Sequence, residues 1–170
     1  MAIQNAKWFD MVIKGGAGAD SYEIAQTTDA KDTIVIAAQG DSFLTTKANA
    51  TTGAIELDIS KMDTIKSFGS LDKLDLTAFG FTGARAGDFA VATINSTNDD
   101  VLGLVKNGQA DFFKTGSVYA GVAEFQNKAG TETYIAIDAN KDGSFDAAHD
   151  VVIQITGVTT LDAAHVVWTA

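Results

Sequence analysis

Short segments in which apolar residues recur at every second position run along the whole chain. The clearest are Gly53–Ser60, Thr131–Asp138 and Val151–Thr156, and Leu74 and Leu76 alternate with polar neighbours in the same way. A period of two is typical of β-strands that are buried on one face. Further candidate strands are Met11–Lys14, Ser21–Ala25, Thr33–Ala37, Phe89–Ile94, Val101–Val105, Val118–Phe125 and His165–Trp168. Clusters of Gly, Asn and Asp separate these segments at short intervals, which predicts an all-β fold, either a β-sandwich or a β-roll.

Helical periodicity is scarce in this sequence. Asp146–Asp150 and Thr160–Ala164 are each predicted to form about one helical turn, and Thr45–Thr52 is predicted to be an exposed loop. No Pro- or Ser-rich linker interrupts the pattern, so we expect residues 1–170 to form one continuous β domain.

Composition excludes several functional classes. The 170 residues include no Cys, which excludes disulfide frameworks, zinc fingers and thiol nucleophiles. The formal charge of −10 argues against nucleic-acid binding, because phosphate contacts need clustered positive charge. Of the 22 acidic residues 18 are Asp and 4 are Glu. Helices favour Glu, whereas Asp is common in turns, caps and metal-binding loops.

No stretch reaches the roughly 18–20 apolar residues that span a bilayer, so we expect no membrane insertion. Residues Met1–Trp8 lack the basic and apolar regions of a Sec-type signal peptide. We expect the protein either to stay inside the cell or to be exported by a route that reads another signal. A third alternative is a fragment whose Met1 is not native.

The sharpest chemical motif lies between the last two alternating segments, within a strand–loop–strand unit at residues 131–156. Side chains that carry oxygen stand at positions 1, 3, 5 and 9 of an EF-hand-type calcium loop, and glycine stands at position 6: Asp138, Asn140, Asp142, Asp146 and Gly143. Calcium takes 6–8 oxygen ligands, and alternate residues of a tight loop can turn their carboxylates inward. The carbonyl group of Ser144 would supply the ligand at position 7.

Two departures from the EF-hand pattern are visible. Position 12, where a bidentate Glu is usual, is His149, and the next residue is Asp150. Asp146 and Asp150 would share a face if one helical turn forms, so Asp150 is predicted to supply the missing carboxylate. A plain Asp/Asn/Gly turn between two strands uses the same residue types and is the structural alternative.

A second motif, Gly15–Glu23, fits the nonapeptide G-G-x-G-x-D-x-(apolar)-x at every defined position. Gly16, Gly18 and Asp20 are its candidate calcium ligands. Only one repeat is present, so the chain holds half a site, or a site that Asp10 or another loop completes. A glycine-rich hairpin turn is the alternative interpretation. Asp63, Asp72 and Asp75 are secondary candidates, although Asp residues at strand ends often serve as solvated caps.

Together these motifs resemble the C-terminal region of RTX proteins, the calcium-binding haemolysin-type repeat family that type I systems secrete. The segments Met62–Phe68 and Leu71–Phe79 are similar to the run D-x-I-x-x-F … D-K-L-D-L that follows the repeats in many members. The tail Ile135–Thr169 is similar to type I secretion target domains and to the C-terminal anchors of calcium-dependent surface-layer proteins. The resemblance implies an uncleaved export signal at roughly residues 110–170, contact with the secretion machinery, and a location outside the cell or on a bacterial surface. It does not imply an enzyme.

The sequence therefore predicts a calcium-binding, non-enzymatic β module that folds on calcium after export. The two histidines, His149 and His165, do not have a metalloprotease spacing, and no GxSxG elbow is present. One rival is a module through which calcium joins copies of the chain in a surface layer or adhesin. The other is a carbohydrate-binding β-sandwich with a structural calcium ion.

Overall fold

The computed structural model describes residues 2–4, 10–24, 30–81, 89–91, 101–115, 118–127, 130, 132–157 and 161–168. Strands dominate these residues, and the fold is mainly β, as the alternation predicts. The strands are β1 Ala2–Gln4, β2 Val12–Ile13, β3 Ser21–Glu23, β4 Thr33–Val35, β5 Thr45–Ala48, β6 Ile55–Asp58, β7 Asp63–Phe68, β8 Lys73–Asp75, β9 Phe89–Val91, β10 Lys114–Thr115, β11 Val118–Tyr119, β12 Val122–Gln126, β13 Thr133–Ile137, β14 Val151–Gly157 and β15 Val166–Val167. One α-helix, α1, covers Val101–Asn107, and 3-10 turns cover Gln39–Asp41, Thr77–Phe79 and Ala163–His165.

Two sheets organise the chain. Sheet A has the strand order β1-β3-β7-β14-β13-β12-β9, and sheet B has the order β15-β8-β4-β2. The chain passes through a strand of sheet A and then a strand of sheet B, and we call each such pair of strands a circuit. The four circuits are β1–β2, β3–β4, β7–β8 and β14–β15. Within each sheet, the strands of successive circuits pair in parallel. The hairpin β5–β6 interrupts the path between the second and third circuits, and the segment from β9 to β13 interrupts it before the fourth.

Four Asp residues stand where the inner strands β3, β4, β7 and β8 begin, each two positions before a buried apolar residue. They form two pairs across neighbouring circuits. The N–H group of Asp20 donates to Asp63 Oδ1 at 2.8 Å, and the N–H group of Asp32 donates to Asp72 Oδ1 at 2.9 Å. The same relation recurs at the first circuit, where the Met11 N–H group donates to Asp32 Oδ1 at 3.0 Å. The Asp carboxylates thus bind backbone N–H groups of the preceding circuit at the corners of the path.

The larger hydrophobic core lies between the two sheets. Ile34 and Leu74 of sheet B and Ile65 and Ile153 of sheet A are each fully buried in it. Ile34 aligns with Leu74 in sheet B, and Ile65 aligns with Ile155 in sheet A, so the period-two pattern places apolar residues of successive circuits in this layer. Phe81 and Trp168 also belong to this core, with their ring centroids 5.5 Å apart and edge to face.

A second core covers the other face of sheet A. Its sheet residues, such as Ala136 and Val152, alternate with those that face sheet B. Helix α1, the base of the hairpin β5–β6 and the segment around Phe112 and Phe113 pack on this face. Phe145, in the loop between β13 and β14, is also buried there, with its ring centroid 5.5 Å from that of Phe112.

Some local predictions are wrong. Val101–Val105, predicted to be a strand, is helical because Val101 and Leu104, three residues apart, both reach the second core. The segment Thr45–Thr52, predicted to be a loop, begins with β5. The alternation over Gly53–Ser60 correctly predicts β6 but not a half-buried face, since Ile55 and Ile59 are 45% and 57% exposed. Short apolar runs do not distinguish helix from strand locally, and tertiary packing decides.

Candidate calcium-binding loop

The loop at residues 138–150 connects two neighbouring central strands of sheet A. Ile137 at the end of β13 pairs with Val151 at the start of β14 in antiparallel register, so the loop closes a hairpin. Its chain reverses sharply at Lys141 and Gly143, whose φ angles are 64° and 84°. Glycine at position 143 adopts this left-handed conformation without the steric cost that a side chain would impose.

Asp138, the first residue of the loop, is fully buried. Its carboxylate accepts hydrogen bonds from the N–H groups of Gly143 at 2.8 Å and Asp142 at 3.2 Å. Burial nevertheless raises the pKa of Asp138 above its ordinary value, because the charged form loses its hydration.

Asp150, the last residue of the loop, is also fully buried and closes the loop from the other end. Its carboxylate accepts from the N–H groups of Asp146 at 2.7 Å and Ala139 at 3.2 Å. Burial, together with the negative charges of Asp138 and Asp142, raises the pKa of Asp150 to about 7. The three carboxylates therefore interact electrostatically, and a positive charge among them would relieve both the burial and the repulsion.

The middle of the loop is built from short-range turns. The N–H group of Asp142 donates to Asn140 Oδ1 at 3.1 Å, and the N–H group of Ser144 donates to Asp142 Oδ1 at 2.7 Å. Asp146 turns toward its own neighbours: it accepts from the Ala148 N–H group at 2.8 Å and lies 2.9 Å from His149 Nδ1. The Asp146 side chain is exposed and bonds within its own turn, and its role as a calcium ligand stays a prediction.

The donor chemistry of the loop fits calcium, although the donors do not surround one point. Among the described residues, no group of three or more His, Asp or Glu side chains is arranged to hold a metal ion. The available donors are all oxygens, which calcium prefers. An ionised carboxylate has about four lone-pair sites, and backbone N–H groups occupy only part of this capacity at Asp138 and Asp150.

The loop is open to solvent on one side. Asp142, Ser144 and Asp146 line a cleft of about 410 Å³ against residues 105–110 at the end of α1. An ion could reach the Asp142 side of the loop through this cleft without unfolding of either core.

The glycine motif forms a second acidic corner, away from the loop in sequence. Asp63 Oδ2 accepts from the Tyr22 hydroxyl at 3.3 Å, beside the hydrogen bond from the Asp20 N–H group. Gly15 permits this packing, since a Cβ atom there would collide with the Asp20 carboxylate and the Tyr22 hydroxyl. Burial raises the pKa of Asp63 to about 7, with further contributions from the charges of Asp20 and Asp41.

The remaining predicted ligands bind backbone groups. Asp10, which is exposed, accepts from the Lys31 N–H group at 2.9 Å. Asp72 accepts from the Gly69 N–H group at 2.7 Å as well as from Asp32, and Asp75 accepts from the Thr77 N–H group at 2.9 Å. Gly16 and Gly18 both have positive φ. The structure thus brings Asp20 and Asp63 together and buries Asp138 and Asp150 at the two ends of one loop. It does not gather three of the acidic candidates around one point within the described residues.

The sequence did not single out three polar residues close to the candidate ligands. Asp32 and Asp41 are buried, at 0% and 7% exposed, and the ring of the half-buried Tyr119 lies beside Gly143 of the loop. The signal for Asp32 was present in the sequence, because the pattern D-x-(apolar) occurs at Asp20, Asp32, Asp63 and Asp72. No local signal connects Tyr119 to a loop that begins 19 residues later.

The sequence matches no protein-family model and no curated protein. Among the described residues, no helix has the length and apolar character needed to cross a membrane.

Proposed function

We propose that this chain is a calcium-binding module of a secreted or cell-surface protein, and that the loop at residues 138–150 holds the ion. One observation carries this proposal: Asp138 and Asp150 are two fully buried carboxylates on one loop, and within the described residues neither forms an ion pair. A buried charge without a counter-charge is costly unless the group is neutralised or coordinates a metal.

The residues that would hold the ion are Asp138, Asn140, Asp142 and Asp150, with the Ser144 carbonyl group. Calcium would neutralise the repulsion among the three carboxylates and join the ends of β13 and β14. Extracellular calcium modules bind with Kd of about 10⁻⁴–10⁻³ M. Such a site is empty in a calcium-poor compartment and fills outside the cell.

We further propose that the four circuits form a β-roll. The parallel pairing of successive strands in both sheets supports this interpretation. The glycine motif forms the corner between β2 and β3, where its Asp20 lies next to Asp63 of the following circuit. The β5–β6 hairpin and the β9–β13 segment are then insertions between circuits.

Folding on calcium after export is the cellular role that we propose. The formal charge of −10 and the absence of Cys fit a chain that crosses a channel unfolded and is then stabilised by an ion. Calcium stabilises the folded state because it binds that state and not the unfolded chain. The similarity of the tail to type I secretion target domains supports the same role and makes the secretion machinery its partner during export.

Thermal unfolding with and without calcium tests the proposal. At 10 mM calcium, a Kd of about 10⁻⁴–10⁻³ M gives a stabilisation of about 1–3 kcal/mol. For a chain of this length, that corresponds to a rise in Tm of roughly 3–10 °C. Magnesium at the same concentration should give a smaller rise, because it demands near-octahedral geometry and dehydrates reluctantly.

A matched pair of variants assigns the effect to the loop. Asp150→Asn should lose most of the calcium-dependent rise in Tm, whereas Asp162→Asn, at an exposed position outside the loop, should keep it. Identical melting curves for the wild type in calcium and in chelator, together with no heat of binding in calorimetry, would contradict the proposal.

A second candidate function is calcium-dependent association of copies of the chain. Val12 lies on β2, the last strand of sheet B, and is 77% exposed. An open strand edge with an exposed apolar side chain favours pairing with another chain. Light scattering on addition of millimolar calcium distinguishes the folding module from the assembly module. A chain that stays monomeric while calcium raises its Tm is a folding module. An increase in scattering mass that Val12→Lys abolishes supports assembly.

A further inference from the structure

Strand β2 is an open edge of sheet B within the part of the chain that the structure describes. It is the last strand of the sheet and pairs on one side only, with β4. The Met11 N–H group donates to Asp32 Oδ1 at 3.0 Å, and the Met11 carbonyl accepts from the Thr33 N–H group at 2.7 Å, so both groups of Met11 point toward β4. Successive residues of a strand point these groups to opposite edges. The N–H and carbonyl groups of Val12 therefore face outward, where another strand can pair with them.

The exposed side chains along this edge are complementary to themselves. Three alternate residues, Asp10, Val12 and Lys14, are exposed, Val12 to 77%. Asp10 and Lys14 carry opposite charges and stand two residues on either side of Val12. In an antiparallel pair centred on Val12, Asp10 of one copy therefore lies opposite Lys14 of the other, once on each side of the two-fold axis. A pair centred on residue 10 or residue 14 would instead place two like charges opposite each other, which is destabilising.

The corners of the circuits disfavour a further parallel strand at this edge. In sheet B, the carboxylate of each circuit accepts an N–H group from the circuit before it: Asp72 accepts from Asp32, and Asp32 accepts from Met11. Met11 is next in this row, and it has no carboxylate to offer to another circuit. An antiparallel strand of a second copy does not need this acceptor, because its N–H groups pair with the backbone carbonyls of β2.

The opposite end of the circuits is not equivalent. Strand β15 is the other edge of sheet B, but beside it sheet A continues beyond β14 with β13, β12 and β9. These three strands occupy the space in which sheet A of a second copy would lie if the circuits of two copies stacked there. Head-to-tail stacking of β2 on β15, which would generate an open filament, is therefore blocked. A contact between two β2 strands uses the same surface on both copies, so it closes at two.

We propose that two copies of the chain associate through β2, as an antiparallel pair centred on Val12 in which Asp10 of each copy lies opposite Lys14 of its partner. The two four-stranded B sheets then form one continuous sheet. This inference goes beyond the calcium site, since no ion takes part in the contact. It concerns the same strand as the second candidate function, but it requires no calcium and limits the assembly to two copies.

An exchange of charge between the two positions tests the pairing. Asp10→Lys and Lys14→Asp each place like charges opposite each other in a pair of identical copies, so dimerisation of either variant should be at least about 5-fold weaker than that of the wild type. A mixture of the two variants restores both opposite-charge pairs and should dimerise about as strongly as the wild type. Lys66→Asp is the matched control, because it makes the same change in net charge as Lys14→Asp at an exposed position on β7, inside sheet A. It should dimerise like the wild type.

Val12→Lys is a second variant that does not depend on the folding of Asp10→Lys, which loses the hydrogen bond from the Lys31 N–H group. It places two ammonium groups opposite each other at the axis and should abolish the dimer, while its exposed position leaves both cores intact. Circular dichroism checks that each variant is folded.

Sedimentation velocity in chelator, from about 10 μM to 1 mM protein, measures the dimer fraction. A wild type that stays monomeric over this range overturns the inference. So does a dimer that Val12→Lys leaves unchanged, or a pair of folded charge variants that do not associate with each other. A dimer that forms only in calcium also overturns it and supports the second candidate function instead. The proposed calcium site is tested separately by the rise in Tm, so it can fail while the dimer forms in chelator.

Discussion

The raised pKa of Asp63 predicts an unusual dependence of stability on pH for the calcium-free protein. The side chain is fully buried, and burial raises its pKa from 3.8 to about 7. The folded state therefore binds a proton that the unfolded chain releases above about pH 4. The stability that this group contributes is fully present below its unfolded pKa and is lost as the pH rises through 7.

The size of the effect follows from the two pKa values. Between pH 5 and pH 7 the folded state keeps the proton and the unfolded state does not, and each pH unit in this window is worth about 1.4 kcal/mol. The free energy of unfolding should thus fall by about 3 kcal/mol between pH 5 and pH 8 on account of Asp63 alone. Asp150, whose pKa is also raised to about 7 by burial, should add a similar loss.

Urea denaturation at pH 5, 6, 7 and 8 in calcium-free buffer measures this slope. Asp63→Asn mimics the neutral acid and should remove about half of the fall. Asp162→Asn is the control: hydrogen bonding from the Ala164 N–H group lowers the pKa of Asp162, so its titration lies below the window. A wild type whose stability is flat or rises from pH 5 to pH 8 would refute the reasoning.

Two further predictions concern the corners of the circuits. Asp72→Ala leaves the Asp32 N–H group buried without its acceptor, which should lower the free energy of unfolding by about 1–3 kcal/mol in urea titration. Asp72→Asn keeps an acceptor oxygen and should lower the free energy of unfolding by less. Equal losses of stability in the Ala and Asn variants would argue against the hydrogen bond. Gly15→Ala inserts a Cβ atom against the Asp20 carboxylate and should cost about 1–3 kcal/mol or more. Gly40→Ala, where no heavy atom lies within 4 Å of the added Cβ atom, should change Tm little, and similar effects at both glycines would contradict the packing.

The candidate loop was largely predictable from sequence, because its contacts are local. The hydrogen bonds that the Asn140 and Asp142 side chains accept join residues two apart in the chain, and those that the Asp138 carboxylate accepts from backbone N–H groups reach only to residue 143. Spacing alone therefore predicts which oxygens share the loop. Spacing did not predict that the Asp146 side chain bonds to Ala148 and His149, because rotamer choice depends on the surrounding packing.

The strands themselves were predictable for the same reason, whereas their partners were not. Alternation at Thr33–Ala37 and Val151–Thr156 determines a strand and its two faces, since the side-chain period of two is a local property. Which strands pair depends on contacts at long range: Asp32 meets Asp72 across 40 residues, and Ile153 aligns with Asp63 across 90. No periodic signal encodes such a separation.

By itself, the amino-acid sequence determined a mainly β chain with an acidic loop and a glycine-rich corner. Only the tertiary structure decided what the Asp residues do. Several of them, such as Asp63 and Asp72, accept hydrogen bonds from backbone N–H groups of a neighbouring circuit. This role requires the strands to be stacked in register. Composition counts the carboxylates, but the charge and the partner of each are set by burial, which only the folded chain creates.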